Sequence, residues 1–95
     1  MIPGITTRIS ETVVASTTTI DQKSDLILVT GTTDIDTINP NFAGFNGICI
    51  LVPTEGDVNL LTTGNIAVAV TAAEDRATLL VWGKTDQKWY PGAIS

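Results

Sequence analysis

Short runs of consecutive β-branched and aliphatic residues, separated by turn residues, dominate this chain from position 26 onward. Val, Ile and Thr lose rotamer freedom in helices and pack well on pleated surfaces. The stretch TAAEDRATLL (71–80) has no helical stripe, so we expect a turn at 73–75 leading into a strand, with a short helical turn as the alternative. The runs predict an all-β fold with strands at 26–30, 34–38, 46–52, 57–61, 64–70, 77–82 and 88–92.

Two of these runs, LILV (26–29) and ICILV (48–52), are apolar at consecutive positions, which in a strand means that both faces are covered. Of the 95 residues, 43% are hydrophobic and only 16% are charged. A domain of this size buries about two thirds of its unfolded surface, so its core is too small for all of them. Exposed apolar patches mark interfaces, and we therefore expect self-association. The side chains expected to pack in the core or between copies are Leu26, Leu28, Ile48, Ile50, Val52, Val68, Val70, Leu80 and Trp82.

An approximate internal repeat joins LILVTGTTDIDTI (26–38) to ICILVPTEGDVNLL (48–61). Each has an apolar strand, a turn and a shorter strand that begins with Asp. Repeats of this kind favour a short β-solenoid or β-helix-like body, with a compact β-barrel-like body as the alternative. Residues 1–22 are rich in Ser and Thr and have no core of their own, so we expect an extended N-terminal arm before a β-rich body at 23–95.

The predicted arm is too polar to fold alone, yet apolar residues punctuate it. Such a segment can add as a strand to an exposed sheet edge of another protein. The alternative is a loose leader without a function, because chain termini are often poorly ordered. We assign partner binding by the arm to Ile5, Arg8, Ile9, Val13 and Val14.

The residues that carry enzyme chemistry are sparse. The chain has no histidine, which excludes Ser–His and Cys–His catalysis and His-ligated metal sites. Cys49 lies in an apolar strand, where a thiol acts as a small buried hydrophobe rather than a nucleophile. Asp34 and Asp36 alternate on one strand face, and we prefer a solvated face to a Ca²⁺ site or a pair of catalytic acids. We expect no enzyme, no metal and no cofactor.

Charge and hydropathy also restrict the partners. The formal net charge is −5, and the five basic residues are scattered rather than gathered into a stripe, which argues against nucleic acid and anionic membranes. No window approaches the ~18 consecutive apolar residues of a membrane span. The first residues lack the features of a signal peptide, so we expect synthesis in the cytoplasm.

Aromatic residues gather near the end of the chain. Trp82 follows an apolar strand and is expected in the core. Trp89 and Tyr90 form a candidate ligand face that can stack on sugars, but we prefer packing for this pair because interfaces are enriched in aromatics.

Four segments resemble a module of small bacteriophage virion structural proteins, of the capsid decoration (cement) or tail-fibre type. They read VTGTTDIDTI (29–38), FAGFNGICILV (42–52), LTTGNIAVAV (61–70) and KWYP (88–91), within residues 24–92. The resemblance implies a β-helix-like body that trimerises as an intertwined homotrimer. It also implies a decoration protein, made in the host cytoplasm, that binds the major capsid protein on the outer capsid surface of the virion and stabilises the shell.

Two other functions are compatible with the same residues. The chain shows neither a distal receptor-binding domain nor a tail-attachment domain, which favours capsid decoration over a complete tail fibre. The alternative is a trimeric tail-fibre or tip protein that binds host surface glycans. A glycoside hydrolase is disfavoured, because no acid–base pair stands out from the ordinary turn carboxylates.

Overall fold

The computed structural model describes residues 11–40 and 47–92, and within these ranges the fold is all-β with no helix. Consequently, no helix that could cross a membrane is found in the described part of the chain. The strands are β1 (Glu11–Ala15), β2 (Thr19–Asp21), β3 (Leu26–Thr30), β4 (Thr37–Asn39), β5 (Ile48–Pro53), β6 (Val58–Leu60), β7 (Val70–Ala72), β8 (Thr78–Gly83) and β9 (Lys88–Pro91).

A five-stranded mixed sheet forms the largest element, in the order β1-β3-β5-β8-β9. β1, β3 and β5 run parallel, with Glu11 beside Leu26 and Leu26 beside Ile50. The last two strands are antiparallel additions. β2 lies between β1 and β3 in the chain, and β4 lies between β3 and β5. These two short strands pair with each other in parallel. β6 and β7 form a third, antiparallel pair.

The core lies between one face of the large sheet and the two smaller sheets. Alternate side chains of each strand point inward, as the pleat requires. The buried residues, which come from all three sheets and the segments between them, are Ile20, Ile27, Val29, Ile35, Ile38, Cys49, Leu51, Val58, Leu60, Ile66, Ala72, Leu80 and Trp89.

The predicted strand at 26–30 is confirmed at its bounds. The turn predicted at 73–75 is also present, and it contains Asp75, whose φ is +60°. Two other predicted strands are confirmed only at their ends. Of 34–38, only the end belongs to β4, although Ile35 forms an isolated parallel bridge to Leu60. Most of 64–70 is turn, because it folds back tightly against the segment before β4. Within it, Ile66 forms an isolated parallel bridge to Trp89, and β7 begins at Val70.

The described part of the predicted arm, residues 11–22, is extended and paired. β1 lies at the edge of the large sheet, and β2 contributes Ile20 to the core. Residues 1–10 lie outside the described residues. The part of the arm that can be described therefore packs on the body.

Candidate interaction surface

The five-stranded sheet has a second face, directed away from the core. Because side chains alternate across a strand, the residues between the buried positions of each strand lie on this face. Their cross-strand register brings them side by side in rows. We call this surface the outer face, and its apolar residues are Val13, Leu26, Leu28, Ile48, Ile50, Val52, Leu79, Val81 and Tyr90.

Exposure is concentrated on the outer face. Of the six large apolar side chains that are exposed in the described part of the chain, five belong to it. These five are Val13 (61%), Ile48 (38%), Leu79 (36%), Val81 (43%) and Tyr90 (40%), and the sixth is Val68 (59%), in the segment between β6 and β7. The remaining outer-face residues are half-buried by their neighbours.

Two rows show that the outer face is continuous. Ile48 lies opposite Val81, and Val81 lies opposite Tyr90. In the next row Leu26 is beside Ile50, which lies opposite Leu79. An antiparallel or mixed sheet with a solvated face normally carries polar residues there. Two apolar rows that together cross β3, β5, β8 and β9 are therefore typical of a surface that another molecule covers.

Charged residues occupy only the margins of the outer face among the described strands. Glu11 lies on β1 at one edge of the sheet, and Lys88 lies on β9 at the opposite edge. A charge in the middle would have to be desolvated on association, and burial of an unpaired charge is strongly unfavourable. The arrangement of an apolar centre with a polar rim is that of a protein–protein interface.

All but one of the residues predicted from the sequence to pack are divided between two places. Leu80 is buried in the core, and Val70 and Trp82 pack against the core from its margin. Val68 is exposed and lies on neither the core nor the outer face. The others lie on the outer face, namely Leu26, Leu28, Ile48, Ile50 and Val52.

The residues predicted for the arm and the ligand face are also separated. Val13 is exposed on the outer face, whereas Val14 packs against the core. Ile5, Arg8 and Ile9 lie outside the described residues.

Trp89 is fully buried and has structural contacts that leave no open ring face for a sugar. Its ring centroid lies 5.0 Å from that of Trp82, with 58° between the ring planes. Its Nε1 donates a hydrogen bond of 2.8 Å to the carbonyl oxygen of Ile38. Tyr90 alone of the predicted ligand face presents its ring to solvent.

The Cys49 thiol is buried and unbridged. Burial, and secondly the negative charge of Asp25, raises the pKa of Cys49 to about 12. A thiol is nucleophilic only as the thiolate, so Cys49 is protonated and inert near neutral pH.

The carboxylates predicted to share a strand face are engaged in hydrogen bonds. Asp36 accepts hydrogen bonds of 2.8 Å from the hydroxyls of Thr37 and Thr63, and Asp34 accepts one of 3.3 Å from Asn59 Nδ2. Within the described ranges, no three acidic or cysteine side chains gather as a metal site would require. These carboxylates hold the turn and strand segments together.

Comparison of the chain with models of known protein families, with curated protein sequences and with solved structures gives no significant match.

Proposed function

We propose that this protein is a structural subunit that assembles as a homotrimer through its outer face and decorates a bacteriophage capsid. The single observation that carries the assembly is the apolar outer face, whose centre has no charge and whose side chains remain partly exposed. The capsid assignment rests on the resemblance of residues 24–92 to small virion proteins. In this proposal the trimer binds the major capsid protein and stabilises the shell, because a ligand specific for the assembled state favours that state.

The size of the outer face is adequate for self-association. Complete burial of one aliphatic side chain contributes about 1.5–3 kcal/mol, and each outer-face residue has part of that burial left to gain. Association of proteins costs about 4–15 kcal/mol in lost freedom of motion. The nine apolar residues of each copy are thus enough to offset this loss when three copies cover one another.

The finer architecture of the body is also part of the proposal. The parallel succession β1, β3, β5, with β2 and β4 paired in parallel beside it, supports a short β-helix-like plan in which each turn of chain covers the edge of the last. Among the predicted arm residues, Val14 is engaged with the core and Val13 belongs to the outer face, so capsid contact falls to Ile5, Arg8 and Ile9.

Assembly is tested by charge substitution on the outer face. Leu79→Lys combined with Val81→Lys places two charges where the proposal requires an apolar contact, at side chains that a single copy leaves exposed. The matched control is Val68→Lys, a single charge substitution at an exposed valine that is off the sheet. We expect light scattering to give trimers, or multiples of trimers, for the native chain and the control, and a folded species smaller than a trimer for the double variant. A native chain that is monomeric at micromolar concentration contradicts the proposed assembly.

Capsid decoration is tested by labelling intact virions of the phage that encodes the chain with gold-conjugated antibodies, or by cryo-electron microscopy of those virions. We expect label over the head and density at local three-fold positions. Label confined to the tail contradicts decoration and supports the tail-fibre alternative, which a glycan array then tests.

A further inference from the structure

β1 differs from β2, β4 and β9 because no described residue caps its free edge. β2 also lies at an edge, but the hydroxyl of Thr17 donates a hydrogen bond of 2.6 Å to the outward-facing carbonyl of Thr19. The other edge of β4 is closed by the side chain of Asn65, which bonds both the N–H and the carbonyl oxygen of Ile38.

β9, at the far edge of the large sheet, is closed as well. Its Trp89 donates a backbone hydrogen bond to Asn65 and accepts one from Ala67, at 2.8 and 2.9 Å. No comparable cap on β1 is found in the described part of the chain, where β1 pairs only with β3. An uncapped edge strand is a template for another strand.

The backbone groups that β1 offers follow from its register. Ser16 N–H donates to the carbonyl oxygen of Thr30 on β3. Since alternate residues of a parallel strand bond the same neighbour, Thr12 and Val14 also face β3. The N–H and carbonyl groups of the odd-numbered residues of β1, from Glu11 to Ala15, therefore point away from the sheet.

We infer that β1 pairs with β1 of a second copy, antiparallel and centred on Val13. This register is self-complementary, because both strands contribute the same three outward residues and a two-fold axis passes between the two copies of Val13. Val13 lies opposite Val13 of the partner subunit, and Glu11 lies opposite Ala15 of the partner subunit. The three opposed pairs exchange about six backbone hydrogen bonds.

Side chains favour the same register. Val13 is the most exposed of the large apolar residues that are described, and a β-branched pair across two strands is favourable. Glu11 of each copy meets a small neutral residue, so the like charges that would oppose each other in a shifted register are kept apart. The two outer faces then lie on the same side of one continuous sheet.

This contact is separate from the proposed trimer. Trimerisation uses the face of the sheet, whereas the β1 pair uses the edge of the sheet and relates two copies by a two-fold axis. It does not depend on capsid decoration. Where trimers form, the β1 pair connects a subunit of one trimer to a subunit of the next.

The first measurement is disulfide cross-linking through a cysteine introduced at Val13. Cα atoms of directly opposed, hydrogen-bonded residues lie about 5.5 Å apart, within the usual range for a disulfide. The matched control is Val68→Cys, with 59% exposure against 61% for Val13. We expect Val13→Cys to give a disulfide-linked dimer with diamide at least tenfold faster than Val68→Cys. The native Cys49 is buried in both variants.

The cross-linking is repeated with Leu79→Lys and Val81→Lys present, so that the outer face cannot assemble. Persistence of the fast cross-link in that background supports the β1 pair even if the trimer proposal fails. Equal rates for the Val13→Cys and Val68→Cys chains overturn the inference, whatever the trimer result.

Amide hydrogen exchange of the native chain gives an independent readout. The amides of Val13 and Ala15 point outward and are protected only when β1 is paired, whereas those of Thr12 and Val14 bond β3 in either state. We expect protection of the outward pair to rise at least tenfold between low and high protein concentration, with the inward pair unchanged. Fast exchange of the outward pair at every concentration overturns the inference.

Discussion

The side chain of Asn65 joins two parts of the fold that are distant in sequence. Its side-chain Oδ1 accepts a hydrogen bond of 2.9 Å from the N–H of Ile38, and its Nδ2 donates one of 2.7 Å to the carbonyl oxygen of Ile38. The amide thus imitates a neighbouring strand beside β4. Ile38 is fully buried, so water is not available to replace these bonds.

Asn65→Leu is expected to lower the free energy of unfolding by about 1–3 kcal/mol, because it leaves the buried N–H of Ile38 without a partner. Urea unfolding monitored by circular dichroism measures the loss. The control is Asn59→Ala, since the hydrogen bonds of Asn59 are between exposed side chains and its removal should change stability by no more than about 0.5 kcal/mol. Equal losses for the two variants would contradict the strand-like role of Asn65.

The Cys49 thiol should make stability fall at alkaline pH. Its pKa is raised from 9.0 to about 12 in the folded chain, first by burial and then by Asp25. Below the unfolded pKa the thiol is protonated in both states, so the contribution is fully present there. As the pH rises from 9.0 to about 12, only the unfolded chain releases the proton, and stability falls by at most about 1.4 kcal/mol per pH unit.

Urea unfolding of the native chain and of Cys49→Ala at about pH 8 and about pH 10.5 measures this contribution. We expect a steeper loss of stability for the native chain than for Cys49→Ala. The native thiol should also resist a disulfide reagent at about pH 8 and react once urea unfolds the chain. Parallel pH profiles for the two chains would show that the thiol does not titrate as proposed.

Single residues differ in how far the sequence predicts them. Cys49 was predictable as buried, because its immediate neighbours are all apolar and a local pattern reports burial. The role of Asn65 was not predictable, since its partner lies 27 positions away and nothing local distinguishes it from an ordinary turn residue. The visible signal was limited to the turn segment TTGNIA that contains it.

At the scale of elements, strands set by consecutive apolar residues were predicted better than those mixed with turn residues. β3 coincides with its prediction, because a run of two leucines and three β-branched residues is followed by Gly31, whose φ is +74°. The segment 64–70 was predicted as a strand from its Ile and Val residues, yet most of it is turn. Its backbone conformation is determined by contacts with the segment before β4. A local pattern of apolar residues gives no information on such distant contacts.

In this turn, position 64 has room only for glycine. A Cβ atom at position 64 would lie 2.1 Å from the backbone oxygen of Asp36, far inside van der Waals contact. Gly64→Ala should therefore displace the turn from β4 and lower the free energy of unfolding by about 1–3 kcal/mol. The matched control is Gly92→Ala, where the nearest atom to an added Cβ is 3.5 Å away and the change should be small. Thermal unfolding of the two variants measures the difference, and equal melting temperatures would contradict the close packing.

At the scale of the whole molecule, composition indicated the excess of apolar residues but not where it lies. The consecutive apolar runs predicted strands covered on both faces, and in the described part of the chain one face is core and the other is the outer face. Sequence alone does not reveal the strand order β1-β3-β5-β8-β9, which brings the outward-facing residues of these strands together into one surface. Pairing between distant strands creates the surface, and the number of copies that cover it stays a prediction.

A chain that completes its burial only by association should melt at a temperature that depends on its concentration. For a trimer that dissociates as it unfolds, tenfold dilution removes about 0.9 kcal/mol of stability per subunit, two thirds of the free energy of a tenfold concentration change. In a domain of this size that corresponds to a fall of about 4–7 °C in melting temperature. The melting temperature of Leu79→Lys with Val81→Lys should depend less on concentration than that of the native chain, whereas Val68→Lys should follow the native chain. Calorimetry over a hundredfold concentration range decides the matter, because a native melting temperature that does not move means that folding and association are independent.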